Sequence, residues 1–245
     1  MRRFIKKTAT KAVGNGFFTN LALGSVLISI GFACLYPSST DIYVDGVNEN
    51  VFRSGKSSNG VSLMFNVYWG TEYLDGILDT LQRHGASATF FVGGSWADDH
   101  PEMLHKILSY GNELGNHGYF HRDHALLDEE SNRQEMQVCN DYVRLVTGVD
   151  IRVFAPPSGS YGETAVSVAT ALGMKTILWS KDTIDWRDKN AALIYTRATK
   201  NVQGGDFILM HPVKETADAL DDILIYYTKK GFSAITVSKN LSGEG

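Results

Sequence analysis

Five times along this chain an amphipathic stretch halts at a glycine and an apolar, β-rich run follows within a few residues. The pairs are Gly85 before 88–92, Gly111 before 113–116, Gly148 before 152–155, Gly173 before 175–179 and Gly231 before 234–237. Glycine accepts the left-handed conformation that ends many helices, so each pair reads as helix, cap, strand. Runs at 61–65 and 206–210 bring the strand candidates to seven, and helical patterns at 72–84, 102–110, 129–147 and 216–230 lie between them. Strands alternating with helices predict an α/β fold, a parallel sheet covered by helices. The length favours a closed or nearly closed barrel over two domains, while periodicity alone leaves an open doubly wound sheet in play.

The 245 residues are 43% hydrophobic and 20% charged, which suits one globular domain with an appendage and excludes a disordered or fibrous chain. A formal charge of -4 with no basic stripe beyond the N-terminus excludes nucleic acid as the main partner, because phosphate binding needs clustered Lys and Arg. Cys34 falls in the apolar N-terminal segment and Cys139 is alone in the domain, so no intradomain disulfide forms.

The N-terminus has its own pattern. Arg2, Arg3, Lys6, Lys7 and Lys11 precede an uncharged, mostly apolar run over 17–36, long enough to cross a bilayer core. This order predicts a cytoplasmic basic segment at 1–16, a transmembrane anchor at 17–36 and the rest of the chain outside the cytoplasm. A cleaved secretory signal is the alternative. A lipoprotein signal ending at Cys34 is the weakest option, because Gly31, Phe32 and Ala33 lack the usual apolar residue three places upstream. The polar, turn-rich stretch 37–59 reads as a linker, and 60–245 as the domain.

Active sites of such barrels gather where the strands end. Those ends read M-F-N-V-Y-W-G (64–70), N-H-G-Y-F-H (116–121), F-A-P-P-S-G-S-Y (154–161), S-K-D-T-I-D-W (180–186) and I-L-M-H-P (208–212). His117 and His121, four apart straight after a strand, can bring two imidazoles to one metal ion. A zinc-protease His-Glu-x2-His site is not formed, since Gly118 stands where the catalytic Glu would be. In this order the five motifs resemble the polysaccharide deacetylase family, with its NodB-homology, carbohydrate esterase family 4-like domain, and most closely its sporulation-associated branch. The resemblance covers about residues 60–237.

That resemblance implies a distorted seven-stranded (β/α)7 barrel. It implies removal of acetyl groups from N-acetylated sugars of peptidoglycan or chitin-like polymers, and a divalent metal, often zinc, held by one Asp and the His-x3-His pair. By that match His117 and His121 are the metal ligands, His211 is the acid that protonates the departing amine, and Asp185, before Trp186, is the carboxylate that steadies it. Asp182 matches the first acid of the same motif. The backbone N–H of Ser158 matches an oxyanion donor, and Asn66, Trp69, Ser158 and Trp186 are expected along the substrate groove. Tyr68 and Trp96 are further aromatic candidates for sugar stacking.

The departures from the family pattern are equally specific. The family's Thr-Phe-Asp-Asp-Gly places a base and the third metal ligand where this chain has Asn66 and Val67, and no Asp or Glu occurs between Glu49 and Glu72. Valine binds no metal, and an amide takes no proton from water at neutral pH. The Arg that supports the base in the family is replaced by Ala155. Losing both makes joint sense, because a guanidinium left without its carboxylate would be an unpaired buried charge. Asp123, Asp182 and His124 are the only nearby substitutes, with His124 reading as an exposed loop residue; His84, His100 and His105 read as surface residues. The expected function is metal-dependent de-N-acetylation of an N-acetylglucosamine-containing cell-wall polysaccharide by a membrane-anchored, extracytoplasmic domain. The alternative is a catalytically inactive descendant that binds glycan.

Overall fold

The computed structural model describes residues 50–244. The basic segment, the anchor at 17–36 and the linker up to 49 lie outside the described residues. Among the described residues no helix is long and apolar enough to cross a membrane.

The strands are β1 (Val51–Phe52), β2 (Gly60–Val67), β3 (Thr89–Val92), β4 (Glu113–Asn116), β5 (Val153–Phe154), β6 (Lys175–Ile177), β7 (Lys181–Asp182), β8 (Phe207–Met210) and β9 (Ser233–Ala234). The helices are α1 (Thr71–Arg83), α2 (Gly94–Asp99), α3 (Pro101–Ser109), α4 (Glu129–Thr147), α5 (Glu163–Ala171), α6 (Asp185–Asp188), α7 (Ala191–Thr199), α8 (Lys214–Lys229) and α9 (Val237–Ser242). The strands pair in the order β1-β6-β5-β4-β3-β2-β8-β7, with β9 also on β2. Every one of these ladders is parallel. The sheet curls into a distorted barrel that stays open, since among the described residues no ladder joins β1 to β7.

All seven expected strands are present, and β1 and β7 add to them. The five helix-ending glycines lie at φ 61° (Gly85), 78° (Gly111), 76° (Gly148), 75° (Gly173) and 79° (Gly231), the left-handed turns their placement predicts. The domain starts earlier than the change in composition at Gly60 suggests. Residues 51–59 join the barrel: β1 pairs with β6, and the Gly55 N–H donates to the Gly205 carbonyl at 2.7 Å. The expected run at 234–237 stops after Ala234, because the Thr236 side chain caps the Lys239 N–H and starts α9 at Val237.

Both faces of the sheet are buried, so the strands read as continuous apolar runs. Leu63, Phe65, Val67, Phe90, Val92, Leu114, Phe154, Ile208 and Met210 face the helices in the main core. Met64, Phe91, Val153, Ala155, Ile177 and Phe207 fill the barrel interior as a second cluster. Gly115 leaves room for this filling: a Cβ there would fall 2.4 Å from the Phe91 ring. The N-terminal end of the barrel is closed by α9, whose Val237 and Leu241 join the interior cluster. Polar contacts complete that plug. Thr89 donates to Glu113 at 2.7 Å and accepts from the Val237 N–H at 2.8 Å, and Asn240 donates to Ser62 at 3.1 Å. The opposite, C-terminal end is left free for chemistry.

Candidate active site

Because Phe65 and Val67 face the helices, Asn66 between them points into the barrel mouth. The β2–β8 register pairs Phe65 with Met210, which puts Asn66 beside His211. Asn66 is buried, and its Oδ1 has no hydrogen-bond partner. Val67, at the place of the family's metal-binding carboxylate, is fully buried in the apolar core on the other face.

His117 follows β4 directly, and its Nδ1–H donates to the Ala155 carbonyl at 2.7 Å, which leaves Nε2 as a free acceptor. Burial pulls its pKa down to about 3, with a charge on His121 or His211 opposing protonation as well, so the ring is neutral. His121 is half-buried and its pKa is also lowered, chiefly by burial and partly by His211. The two rings meet edge to face with centroids 5.0 Å apart. His211 lies near enough to both rings for its charge to oppose their protonation.

The turn between the first two histidines is fastened on both sides. Asn116 Oδ1 accepts the Gly118 N–H at 2.7 Å, and Glu135 of α4 accepts the Tyr119 and Phe120 N–H groups at 2.9 and 2.8 Å. The Gly118 and Tyr119 carbonyls accept from Gly94 and Ser95 at 2.9 and 3.0 Å. Gly118 itself sits at φ 72°, and a Cβ there would lie 2.9 Å from His124 Nε2.

Opposite stands His211. Its Nδ1–H and backbone N–H donate to the two oxygens of Asp185 at 2.8 and 2.7 Å. Asp185 is fully buried and also accepts the Trp186 N–H at 2.8 Å and the Thr216 hydroxyl at 2.6 Å. Four donors fix this carboxylate, which in turn fixes the ring and leaves Nε2 without a partner among the described residues. Ile184, just before it, is held at φ 53°, a strained value for a β-branched residue, and its N–H donates to Asp182 at 2.7 Å. Asp182 thus secures the turn that presents Asp185.

Aromatic rings from the first motif cover the histidines. Trp69 stacks on His211 with centroids 5.5 Å apart and planes 8° from parallel, and Tyr68 packs on His121 at 4.9 Å. Trp69 and Trp186 are 42% and 52% exposed at the rim, where a sugar face can reach them. Ser158 lies in the turn Pro157–Gly159 at φ 55°. Trp96 is no platform: it is buried, stacked on His100 and donates its Nε1–H to Thr71 at 2.9 Å.

Asp123 and Asp182, the carboxylates that could replace the lost pair, are engaged elsewhere. Asp123 accepts the Ser160 hydroxyl at 2.5 Å and the Ala125 N–H at 3.1 Å. His124 is buried rather than exposed. Asn132, whose Nδ2 donates to three carbonyls, accepts the His124 Nδ1–H at 2.7 Å, and burial lowers the pKa of this imidazole. Glu135 and Thr216 have no motif spacing that marks them in the sequence; both act from helices that only the fold brings to the mouth.

The donor set falls short of the metal centre that the resemblance implies. His117 and His121 offer two nitrogens, the third place carries Val67, and no cluster of three His, Cys, Asp or Glu arranged for a metal occurs among the described residues. Catalytic zinc normally takes three protein ligands.

Comparison with known proteins agrees with this geometry. The polysaccharide deacetylase family profile matches residues 53–177. The uncharacterized protein YlxY of Bacillus subtilis is 34% identical over 78% of this chain, which spans 60% of that protein's length. The peptidoglycan-N-acetylmuramic acid deacetylase PdaA of Bacillus subtilis is 28% identical over 71% of this chain and 68% of its own. The crystal structure of BA3943 from Bacillus anthracis, described as a CE4 family pseudoenzyme, superposes with a TM-score of 0.77 at 32% identity, covering 79% of this chain and 69% of that one. A mutant of BA3943 is described as having restored enzymatic activity. By profile, by sequence and by fold, this chain belongs to the polysaccharide deacetylase family.

Proposed function

We propose that this chain binds N-acetylated cell-wall glycan at the barrel mouth without turning it over by the family's metal-dependent route. The observation that carries this reading is the state of the first motif. Asn66 presents an amide where a base is needed, and Val67 is sealed in the core on the opposite face of the strand. What remains in the mouth suits recognition. Asn66 Oδ1, His117 Nε2 and His211 Nε2 are acceptors for N–H and O–H groups, and Trp69 and Trp186 offer ring faces at the rim. The basic-then-apolar N-terminus supports a location on the extracytoplasmic side of a membrane, where such polymers lie.

A second reading, slow de-N-acetylation, draws on the intact His211–Asp185 pair, which is oriented to hand a proton to a departing amine. His117 and His121 would hold the divalent ion, which would supply Lewis-acid polarisation. Assays on N-acetylglucosamine oligomers with added zinc, cobalt or nickel, beside a His117→Ala control, separate the two. Binding without turnover supports the first reading. Metal-dependent turnover lost in the control supports the second, and absence of both binding and turnover refutes both.

A further inference from the structure

Charge is sorted along the axis of the barrel. At the closed, N-terminal end Lys56, Lys175, Lys229, Lys230 and Lys239 are exposed and have no ion-pair partner among the described residues. Lys56 donates its backbone N–H to the Asn240 carbonyl at 2.8 Å, and Lys239 is the neighbour of Asn240 in the plugging helix α9. Lys175 opens β6, and Lys229 and Lys230 end α8 just before β9. The acids beside the plug are mostly engaged: Glu113 accepts from Thr89 and Ser238, Asp206 accepts from Ser180 and pairs with Lys181 at 3.8 Å, and Asp150 pairs with Arg152 at 3.5 Å. Glu244 is exposed there.

The mouth end carries the opposite sign. Glu72, Asp128, Glu130 and Glu163 sit at the starts of α1, α4 and α5, exposed and without an ion pair, against Arg122 and Lys189 as unpaired cations. Acids in the first turn of a helix and lysines in the last answer to the helix dipole, which accounts for the end of α8. It does not account for Lys56, which lies in a loop, or for Lys175, which begins a strand.

The chain enters the barrel at this same end. Asn50, the first described residue, accepts the Thr176 N–H at 3.0 Å, next to Lys175. The stretch 37–49 allows at most about 45 Å of chain between Asn50 and the apolar run 17–36. We propose that the closed end of the barrel is a docking surface for a bilayer of anionic phospholipid, which turns the mouth away from the membrane. Headgroup phosphates complement the ring of ammonium groups, and this attraction fades within a Debye length of about 8 Å at physiological ionic strength. It therefore acts on the end of the domain that the linker holds near the surface, and here that end is the basic one. A free anionic polymer has no reason to select the end at which the chain enters. The proposal rests on the membrane-side location read from the N-terminus and is independent of what the mouth binds.

The test is lysine footprinting of the full chain inserted into nanodiscs of phosphatidylglycerol or of phosphatidylcholine, with the acetylation of each lysine followed by mass spectrometry. In the phosphatidylglycerol discs Lys56, Lys175, Lys230 and Lys239 are expected to react about five-fold more slowly than in the phosphatidylcholine discs, a difference that high salt removes. Lys189 and Lys214, at the mouth end, are expected to react alike in both. Equal rates at the four ring lysines in the two lipids overturn the docking surface, and so does slowing confined to Lys189 and Lys214. A soluble glycerol-phosphate polymer that protects the ring lysines where phosphatidylglycerol does not would reassign the surface to an anionic polymer and also overturn the proposal. A chain that fails to insert into either disc overturns it through the membrane location, while its binding to N-acetylglucosamine oligomers, measured separately, decides the reading of the mouth.

Discussion

Two neighbouring substitutions that restore the family's carboxylates should have very different costs. Val67 is fully buried among helix-facing apolar side chains, so Val67→Asp removes a side-chain burial contribution of about 1.5–3 kcal/mol and places an unpaired carboxyl there. The carboxyl will remain protonated, at a further cost of about 1.4 kcal/mol for each unit by which its pKa rises. A total near 4 kcal/mol is expected, a large fraction of the stability of an ordinary domain. Asn66→Asp differs. It keeps the side chain's shape and breaks no hydrogen bond at Oδ1, so the expected cost is smaller, about 1 kcal/mol. Urea unfolding of each variant in the presence of a chelator measures both. If zinc then binds Val67→Asp at a hundred times its dissociation constant, at most about 2.7 kcal/mol is recovered. Equal costs at the two positions would refute the alternation on which this account of the first motif rests.

Thr216→Val removes one of four donors to a buried carboxylate while keeping the shape of the side chain, and should destabilise the domain by about 1.5–3 kcal/mol. It should also shift the NMR resonance of the His211 ring N–H; an unmoved resonance would show that the remaining three donors suffice. Acid should weaken the fold through histidine. The folded-state pKa of His117 is depressed from 6.5 to about 3, so below pH 6.5 the unfolded chain binds more protons, and stability falls with pH until about pH 3. At pH 5 His117 alone contributes a loss of about 2 kcal/mol, and His124 acts in the same direction. Denaturant midpoints that stay flat between pH 7 and pH 5 would contradict the burial of these rings.

The barrel was legible in the sequence because its punctuation is local. A glycine at positive φ must be a residue that tolerates it, and each of the five carried that signal without tertiary context. The missed strands, β1 and β7, are two residues each and sit in polar, turn-rich stretches, so they owe their existence to the neighbour they pair with. The facing of Val67 was hidden for a related reason. In L-M-F-N-V nearly every residue is apolar because both faces of the sheet are covered, and a run of that kind does not state which residue points inward. His124 read as an exposed loop residue because its burial depends on Asn132, one turn into a helix that folds back over the loop. Glu135 clamps the histidine turn from the same helix, a contact with no signature in sequence spacing.

The site therefore divides by what holds each residue in place. Asp185 accepts four hydrogen bonds from three segments, so its loss would strand donors from His211 just past β8, from α6 and from α8 at once. Stranding buried donors costs about 1–3 kcal/mol each, whatever chemistry the site performs. The presence of the His211–Asp185 pair is thus accounted for by the fold and is no sign of turnover. Positions 66, 67 and 155 carry no such burden: valine and alanine pack there with full burial, and the asparagine leaves only one acceptor unmatched. Machinery that doubles as scaffold can persist in a chain that no longer uses it, while machinery that served only a metal and a base can be replaced by packing. A binding protein built on a deacetylase barrel would show this same division, which is why the state of the first motif outweighs the intact dyad in assigning function.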